Sequence, residues 1–280
     1  MSEADDIKRM LRDAAADYVG RTDPAANVRA WRHKAPGFDV ARWSEMAELG
    51  WAGLRAPEAF GGSGLGLSDM VALLIETGRG IAPEPLTAVG ALAVRAICGG
   101  DNEAAKQELL PSICGGSKII AVAWQERPGQ LGAGEIATRA EKNGDGFLLS
   151  GEKDFVHAAP AADGFLVTAR TAGGVGLFYA PSSAKGLTLE TRWFTDGTAF
   201  GKLRLSGVEI PVAHVVASPA CGEAALDAAR AAAPSQPRAL LFEALPAGWA
   251  ERVAAVGARS VHARAADLGE NEAAALRRAG

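Results

Sequence analysis

The sequence predicts an α+β protein with a helical N-terminal region, a middle antiparallel β-barrel or sandwich, and a short Ala-rich helical tail. Three observations support this prediction. Apolar residues recur at helical spacing up to about residue 118, short apolar runs separated by turns follow, and alanine dominates after about residue 221. The predicted domains are therefore 1–118, 119–220 and 221–280.

The N-terminal helices are predicted from apolar spacing and from capping residues. Asp39 is a plausible N-cap for a helix that is expected to bury Val40, Trp43, Met46 and Leu49. Ser68 or Asp69 is expected to cap a later helix. Further helical stretches are predicted near 88–98 and 103–114, which completes a helical N-terminal domain.

The middle region has the pattern of short strands joined by turns. Asn143-Gly144-Asp145-Gly146 is a strong hairpin signal, because asparagine and glycine readily adopt the backbone that a tight turn requires. Strands are predicted at about 119–124, 147–156, 165–170, 175–179, 187–192 and 202–208. Regular short strands of this kind favour an antiparallel sandwich or barrel.

Composition excludes several classes of function. The chain of 280 residues has 29 basic and 33 acidic residues and no basic block, which argues against nucleic acid as a partner. No apolar run approaches the roughly 18 residues that a membrane span needs, and the acidic N-terminus does not resemble a signal peptide. Three cysteines without a CxxC pair favour a reducing compartment, and four scattered histidines predict no metal site. We therefore expect a cytoplasmic protein.

The residues considered alone leave the function open. The glycine-rich segment 61–66 could cradle a phosphate, but it follows no strand and lacks a trailing lysine, so a tight turn is favoured. His157 lies between apolar neighbours, where it is either a satisfied core histidine or a functional one. Trp124-Gln125-Glu126 ends an apolar strand with polar groups, which an ordinary strand exit also does.

Several longer segments follow one another in a characteristic order. They are 43–54, continuing through 57–66, then 78–86, 109–116, 151–157 with Ala162-Asp163, and Asp196 followed by a strand that ends at 208–211. Their order and spacing over roughly residues 1–220 resemble the acyl-CoA dehydrogenase family.

This resemblance implies a helical domain, a β-domain and a C-terminal four-helix domain, with FAD bound between the last two. It implies α,β-desaturation of an acyl-CoA thioester, in which a glutamate removes the α-proton and a β-hydride passes to the flavin. It further implies an electron-transfer flavoprotein as the electron acceptor and assembly into a homo- or hetero-oligomer.

The resemblance also implies roles for individual residues. Val122, Trp124 and Gln125 stand where the family lines the flavin ring, with Gln125 in place of a threonine. Phe155 replaces a tryptophan that packs on the ring, and His157 replaces a threonine or serine that reaches the flavin N5.

Two regions depart from the family pattern. Gln130 and Leu131 replace a small glycine and a serine that lie near the pyrophosphate or the acyl-CoA, and they are the predicted substrate-binding positions. Residues 221–280 contain no R-x-x-F-G segment and are too few for four long helices. The carboxylates there stand in no family motif, so we assign no catalytic base.

Three hypotheses follow from these observations. The first is a flavin-dependent acyl-CoA dehydrogenase whose activity the atypical C-terminal segment impairs. The second is a non-catalytic or half-site subunit of a hetero-oligomeric acyl-CoA dehydrogenase. The third is a related flavin monooxygenase or nitroalkane oxidase. The C-terminal segment itself fits a frameshift product, a degenerate segment or a natural short form.

Overall fold

Helices precede a sheet along the chain, as the sequence predicts. A computed structural model describes residues 3–130, 135–194 and 197–231. The predicted Ala-rich helical tail beyond residue 231, Asp196 and the candidate substrate-binding residue Leu131 lie outside the described residues.

The described residues before the sheet form six α-helices, one π-helical segment and the short 3-10 helix Glu58–Phe60. The α-helices are α1 (Glu3–Gly20), α2 (Pro24–Trp31), α3 (Val40–Glu48), α4 (Leu67–Arg79), α5 (Val94–Cys98) and α6 (Glu103–Cys114). The π-helix (Thr87–Ala93) leads directly into α5, so the helix predicted near 88–98 changes its winding. Asp23, Asp39 and Asn102 cap α2, α3 and α6, because each side chain accepts a backbone N–H of the first turn.

Two details of these helices differ from the sequence prediction. Trp43 and Met46 are buried, but Val40 is 53% exposed and Leu49 is 51% exposed. Val40 is the first residue of α3, and Leu49 follows its last residue, Glu48. Neither side chain faces the core. Helix α4 begins after Gly66, whose backbone N–H donates to Asp69 Oδ2 at 2.9 Å, so neither Ser68 nor Asp69 is the N-cap.

The second half of the described chain forms one eight-stranded mixed sheet. Its strands are β1 (Ile120–Ala123), β2 (Arg139–Asn143), β3 (Gly146–His157), β4 (Gly164–Thr171), β5 (Gly174–Pro181), β6 (Leu187–Trp193), β7 (Ala199–Ile210) and β8 (Val215–Ala217). The strand order is β6-β7-β3-β2-β4-β5-β8, and β1 pairs with β4. The predicted hairpin is confirmed, because Asn143 pairs with Gly146 between β2 and β3. Most neighbours are antiparallel, whereas β1 enters from the helices and pairs in parallel with β4.

Strand β1 separates two apolar cores. Ile120 and Val122, together with Trp124 just after the strand, belong to the core that the helices form. Ala121 and Ala123 point the other way, into the core of the sheet. Helix α7 (Gly222–Ala231) packs against α5, β5 and the π-helix and adds its apolar face to the first core. The end of β1 therefore lies where helices, sheet and α7 meet.

Other features of the described part of the chain bear on the function classes. No helix there combines the length and the apolar character that crossing a membrane requires. The same residues contain no group of three side chains able to hold a metal ion. Cys98, Cys114 and Cys221 are free thiols.

Candidate active site

The end of β1 lies directly beside a bulge in β3. The Asp154 backbone N–H donates to the Gln125 carbonyl oxygen at 2.8 Å, which joins the two segments. The pairing of β3 with β7 shifts between Lys153 and Val156, and Phe155 within that shift has φ +54°. A phenylalanine held at positive φ costs roughly 1–3 kcal/mol, and such strain is concentrated at functional sites.

Four rings form a cluster on the bulged part of β3, and we call them the aromatic cluster. They are Phe155, His157, Phe194 and Phe200. The Phe194 and Phe200 ring centroids are 4.0 Å apart, and Phe155 lies 5.7 Å from Phe200 with an interplanar angle of 8°. The His157 ring stacks on Phe194 at 5.4 Å. Phe155 is half-buried and His157 is exposed, so the cluster presents part of its ring surface at the C-terminal end of β3.

Val122 and Trp124 are buried against the helices rather than within this cluster. The Trp124 ring also contacts α7, because the Arg230 guanidinium carbon lies 4.1 Å from its centroid. Arg230 in turn forms an ion pair of 3.0 Å with Asp227 one turn earlier. A cation over an indole ring stabilises the contact electrostatically, so Arg230 helps to hold α7 at the end of β1.

Glu126 is the hydrogen-bonding centre of the segment that follows β1. Its Oε1 accepts the Thr138 N–H at 2.9 Å, and its Oε2 accepts the Ala137 N–H at 2.6 Å. Lys153 Nζ donates to the same Oε1 at 2.7 Å. These donors, with the Lys153 charge foremost, hold the pKa of Glu126 below its usual range despite the partial burial that raises it.

Lys153 is the charged partner of Glu126 and has a side chain that is 0% exposed. Its Nζ also donates to Thr168 Oγ1 on β4 at 3.1 Å. Burial lowers the pKa of Lys153 to about 8, although Glu126 acts in the opposite direction. The ammonium group therefore links three segments of the middle domain: the segment after β1, β3 and β4.

Gln130 is buried within the segment that Glu126 organises. Its Oε1 accepts the Glu126 backbone N–H at 2.8 Å. The carbonyl oxygen of this side chain is thus engaged in shaping its own loop.

The helical region and the β region of the chain each match a model of a known protein family. The sequence model for the acyl-CoA dehydrogenase N-terminal domain matches residues 5–117, and the model for the acyl-CoA dehydrogenase middle domain matches residues 121–208. The chain belongs to the acyl-CoA dehydrogenase family. The resemblance seen in the sequence is therefore confirmed.

Two curated relatives show how much of a family member this chain covers. Acyl-CoA dehydrogenase FadE27 of Mycobacterium tuberculosis is 30% identical over 64% of this chain and 47% of its own length. Benzylmalonyl-CoA dehydrogenase of Aromatoleum aromaticum is 32% identical over 59% of this chain and 44% of its own length. The matched part of this acyl-CoA dehydrogenase chain thus spans less than half of either relative.

Solved structures share the same architecture. The Tcur3481-Tcur3483 steroid ACAD G363A variant has a TM-score of 0.74 at 28% identity, over 99% of this chain and 73% of that chain. A glutaryl-CoA dehydrogenase from Mycobacterium smegmatis in complex with FADH2 has a TM-score of 0.70 at 20% identity, over 83% of this chain and 61% of that chain. The second similarity shows the fold alone.

The structure brings together only part of the predicted acyl-CoA dehydrogenase site. Gln125 is bonded to Asp154, the residue before Phe155, and Phe155 and His157 both stack with Phe194. Val122 and Trp124 lie in the adjoining helical core. The predicted roles of these residues toward a flavin stay predictions.

Sequence reasoning missed several residues of this region: Glu126, Lys153, Phe194, Phe200 and Arg230. A signal for Lys153 was present, because it lies an even number of residues after Leu149 in a predicted strand and therefore faces the core. A core-facing lysine needs an acidic partner, and Glu126 is the carboxylate at the strand exit nearby. The sequence carries no comparable signal that Phe194 stacks on His157, because that contact joins two separate turns.

Proposed function

We propose that this chain binds FAD at the aromatic cluster and takes part in the α,β-desaturation of an acyl-CoA thioester. The observation that carries the proposal is the half-buried ring of Phe155, which stacks in one cluster with Phe194 and His157 and follows Asp154, the residue whose N–H bonds the Gln125 carbonyl oxygen. Membership of the acyl-CoA dehydrogenase family, shown by the matches over residues 5–117 and 121–208, supports FAD as the cofactor.

The residues present fit the ring portion of FAD. A flavin ring requires an apolar surface for one face and hydrogen-bonding groups at its edge. Phe155 offers the surface, and the positive φ of its backbone sets the direction of its ring. The Gln125 amide supplies a donor and an acceptor, and the His157 imidazole supplies a donor or an acceptor according to its tautomer. When bound, FAD would supply the hydride acceptor.

The chain's own residues would then orient the ring and exclude water from one face. Glu126 lies next to Gln125 but is unsuited as the base that removes the α-proton, because Lys153 and two backbone N–H groups already bind its carboxylate. A lowered pKa also makes it a weak proton acceptor. The base therefore stays unassigned.

Replacing Phe155 by alanine is expected to weaken FAD binding about tenfold, because ring stacking contributes up to about 1.5 kcal/mol beyond buried area. Titration of the apo-protein with FAD, followed by the visible absorbance and quenched fluorescence of the flavin, measures the change. Phe147→Ala is the matched control, since Phe147 pairs with Phe178 elsewhere on the sheet, at 5.1 Å. A wild-type protein that retains no FAD would refute the proposal, and equal affinity of the Phe155 variant would refute the role of this ring.

His157→Ala is expected to weaken FAD binding or slow flavin reduction several-fold more than His214→Ala does. His214 contacts Tyr179 and lies 3.8 Å from Glu108, away from the aromatic cluster. Stopped-flow reduction of the reconstituted proteins by an acyl-CoA measures both variants. Equal effects of the two changes would contradict the role of His157.

A second candidate function is that of a subunit in a hetero-oligomeric acyl-CoA dehydrogenase. Its support is the similarity, at 28% identity, to the Tcur3481-Tcur3483 steroid ACAD G363A variant. Turnover of an acyl-CoA by the isolated chain, with an electron-transfer flavoprotein as acceptor, favours the first function. Turnover only after mixing with a full-length homologous chain favours the second.

The third hypothesis is separated from these two by an anaerobic experiment. Bleaching of the flavin by an acyl-CoA without oxygen excludes a monooxygenase or nitroalkane oxidase reaction. The cytoplasmic location and the absence of a nucleic-acid partner remain predictions of the composition.

A further inference from the structure

The Glu126 carboxylate joins the two ends of the loop between β1 and β2, which the Arg127–Glu135 ion pair also bridges. Glu126 stands at the start of this loop, and Ala137 and Thr138 stand at its end. The N–H groups of Ala137 and Thr138 donate to the two carboxylate oxygens of Glu126 at 2.6 and 2.9 Å. The residues on either side of the segment 127–136 therefore meet at this side chain, which lies next to Gln125, and the Thr138 hydroxyl also donates to the Glu152 carbonyl oxygen at 3.3 Å.

Lys153 fastens this carboxylate to the sheet. Its Nζ lies 2.7 Å from Glu126 Oε1 and donates to Thr168 Oγ1 at 3.1 Å, and the side chain is fully buried. A buried ammonium without a partner is strongly unfavourable. Lys153 and Glu126 therefore each constrain the position of the other side chain.

The pair also has a fixed relation to the proposed cofactor site. Gln125 precedes Glu126, while Asp154 and Phe155 follow Lys153. The Asp154 N–H to Gln125 carbonyl bond of 2.8 Å and the Glu126–Lys153 pair are thus two adjacent cross-links between the same segments. Loss of the pair removes one of these two cross-links next to Gln125 and leaves the Asp154 to Gln125 hydrogen bond.

We infer that Glu126 and Lys153 are positioning residues for the cofactor site, which they shape by clamping the β1–β2 loop to β3. Stability alone does not call for this pair, because a well-packed apolar pair can stabilise a protein core equally well. Only a carboxylate, however, has two oxygens that can accept both N–H groups at the far end of the loop. The effect on FAD binding rests on the proposed function, whereas the clamp on the loop does not.

The experiment compares Lys153→Met with wild type by two independent measurements. In the apo-protein, hydrogen exchange at the amides of Ala137, Thr138 and Asp154 is expected to accelerate at least tenfold. In the FAD titration, the dissociation constant is expected to rise at least fivefold. Arg42→Met is the matched control, since it breaks the buried Arg42–Glu84 pair of 3.2 Å in the helical region. It is expected to lower the melting temperature comparably and to leave both readouts unchanged.

A double variant keeps the test decisive if the unpaired carboxylate of Lys153→Met prevents folding. In the double variant Glu126→Gln with Lys153→Met, neither substituted side chain carries a charge. The glutamine amide offers one oxygen to the loop, where the carboxylate offers two. Faster exchange at Ala137 or Thr138 is still expected. Exchange at all three amides equal to that of the Arg42 control would overturn the inference. A wild-type protein that does not bind FAD would refute the proposed function, while the exchange measurement would still decide the clamp.

Discussion

Replacing Gly62 by alanine is expected to lower the free energy of unfolding by about 3 kcal/mol or more. A Cβ atom at this position would lie 2.1 Å from the Ala56 carbonyl oxygen and 2.6 Å from the Ala56 carbonyl carbon. Both atoms belong to the backbone, so no side-chain rotation relieves the overlap. The neighbouring Gly61 has φ +82° and ends the short helical turn at Glu58–Phe60. The glycines at 61–62 are therefore required by close packing of a turn, in agreement with the interpretation favoured from the sequence.

Urea-induced unfolding measures this effect, and Gly78→Ala is its control. Gly78 lies inside α4, and no atom lies within 4 Å of its Cβ position. Alanine is favoured over glycine in a helix by roughly 0.5–1 kcal/mol, so the control is expected to be neutral or slightly stabilising. A Gly62→Ala protein with the unfolding midpoint of wild type would contradict the packing argument.

Lys153 is expected to make the stability of the protein rise with pH between about 8 and 10.5. Burial lowers its pKa to about 8 in the folded protein, from 10.5 in its ordinary state. Within this interval the unfolded chain binds a proton that the folded protein has released, and stability then increases as the pH rises. Because one pH unit of pKa difference corresponds to about 1.4 kcal/mol, the gain is about 3 kcal/mol.

Other buried groups act in the opposite direction, so the measurement must be a difference between two proteins. Burial raises the pKa of Tyr18, Cys98 and Cys114 in the folded protein. Each of these groups therefore lowers the stability of the protein once the pH exceeds the pKa that the group has in the unfolded chain. Subtracting the unfolding free energy of Lys153→Met from that of wild type isolates the lysine.

This difference is expected to grow across the interval from pH 8 to 10.5. Lys142→Met, which alters an exposed lysine next to the β2–β3 turn, is the control and is expected to follow the wild-type curve. A wild-type minus Lys153→Met difference that stays constant, or that shrinks as the pH rises, would contradict the assignment.

Local patterns in the sequence predicted the elements well and their irregularities poorly. The Asn143–Gly146 turn and the cap at Asp39 depend on neighbouring residues, so the sequence carries them directly. The bulge at Phe155 does not follow from alternation, because it arises where β3 must also pair with β7. The exposure of Val40 and Leu49 shows the same limit, since apolar spacing identifies a face but not where a helix ends.

The candidate site divides in the same way. Gln125, Phe155 and His157 were identified by their positions in family segments, whereas the Glu126–Lys153 pair joins residues 27 positions apart. Phe194 and His157 are further apart still, and their contact depends on the turn between β6 and β7.

The sequence by itself determined the family, the order of the helical and β regions and the segments that carry the candidate site. These properties reside in local motifs and in their spacing along the chain. Only the tertiary structure decided that Glu126 accepts the N–H groups of Ala137 and Thr138, that the buried Lys153 pairs with it and that four rings stack at the end of β3. Each of these features requires segments distant in the chain to meet at hydrogen-bonding or van der Waals distance, and neither composition nor periodicity records such distances.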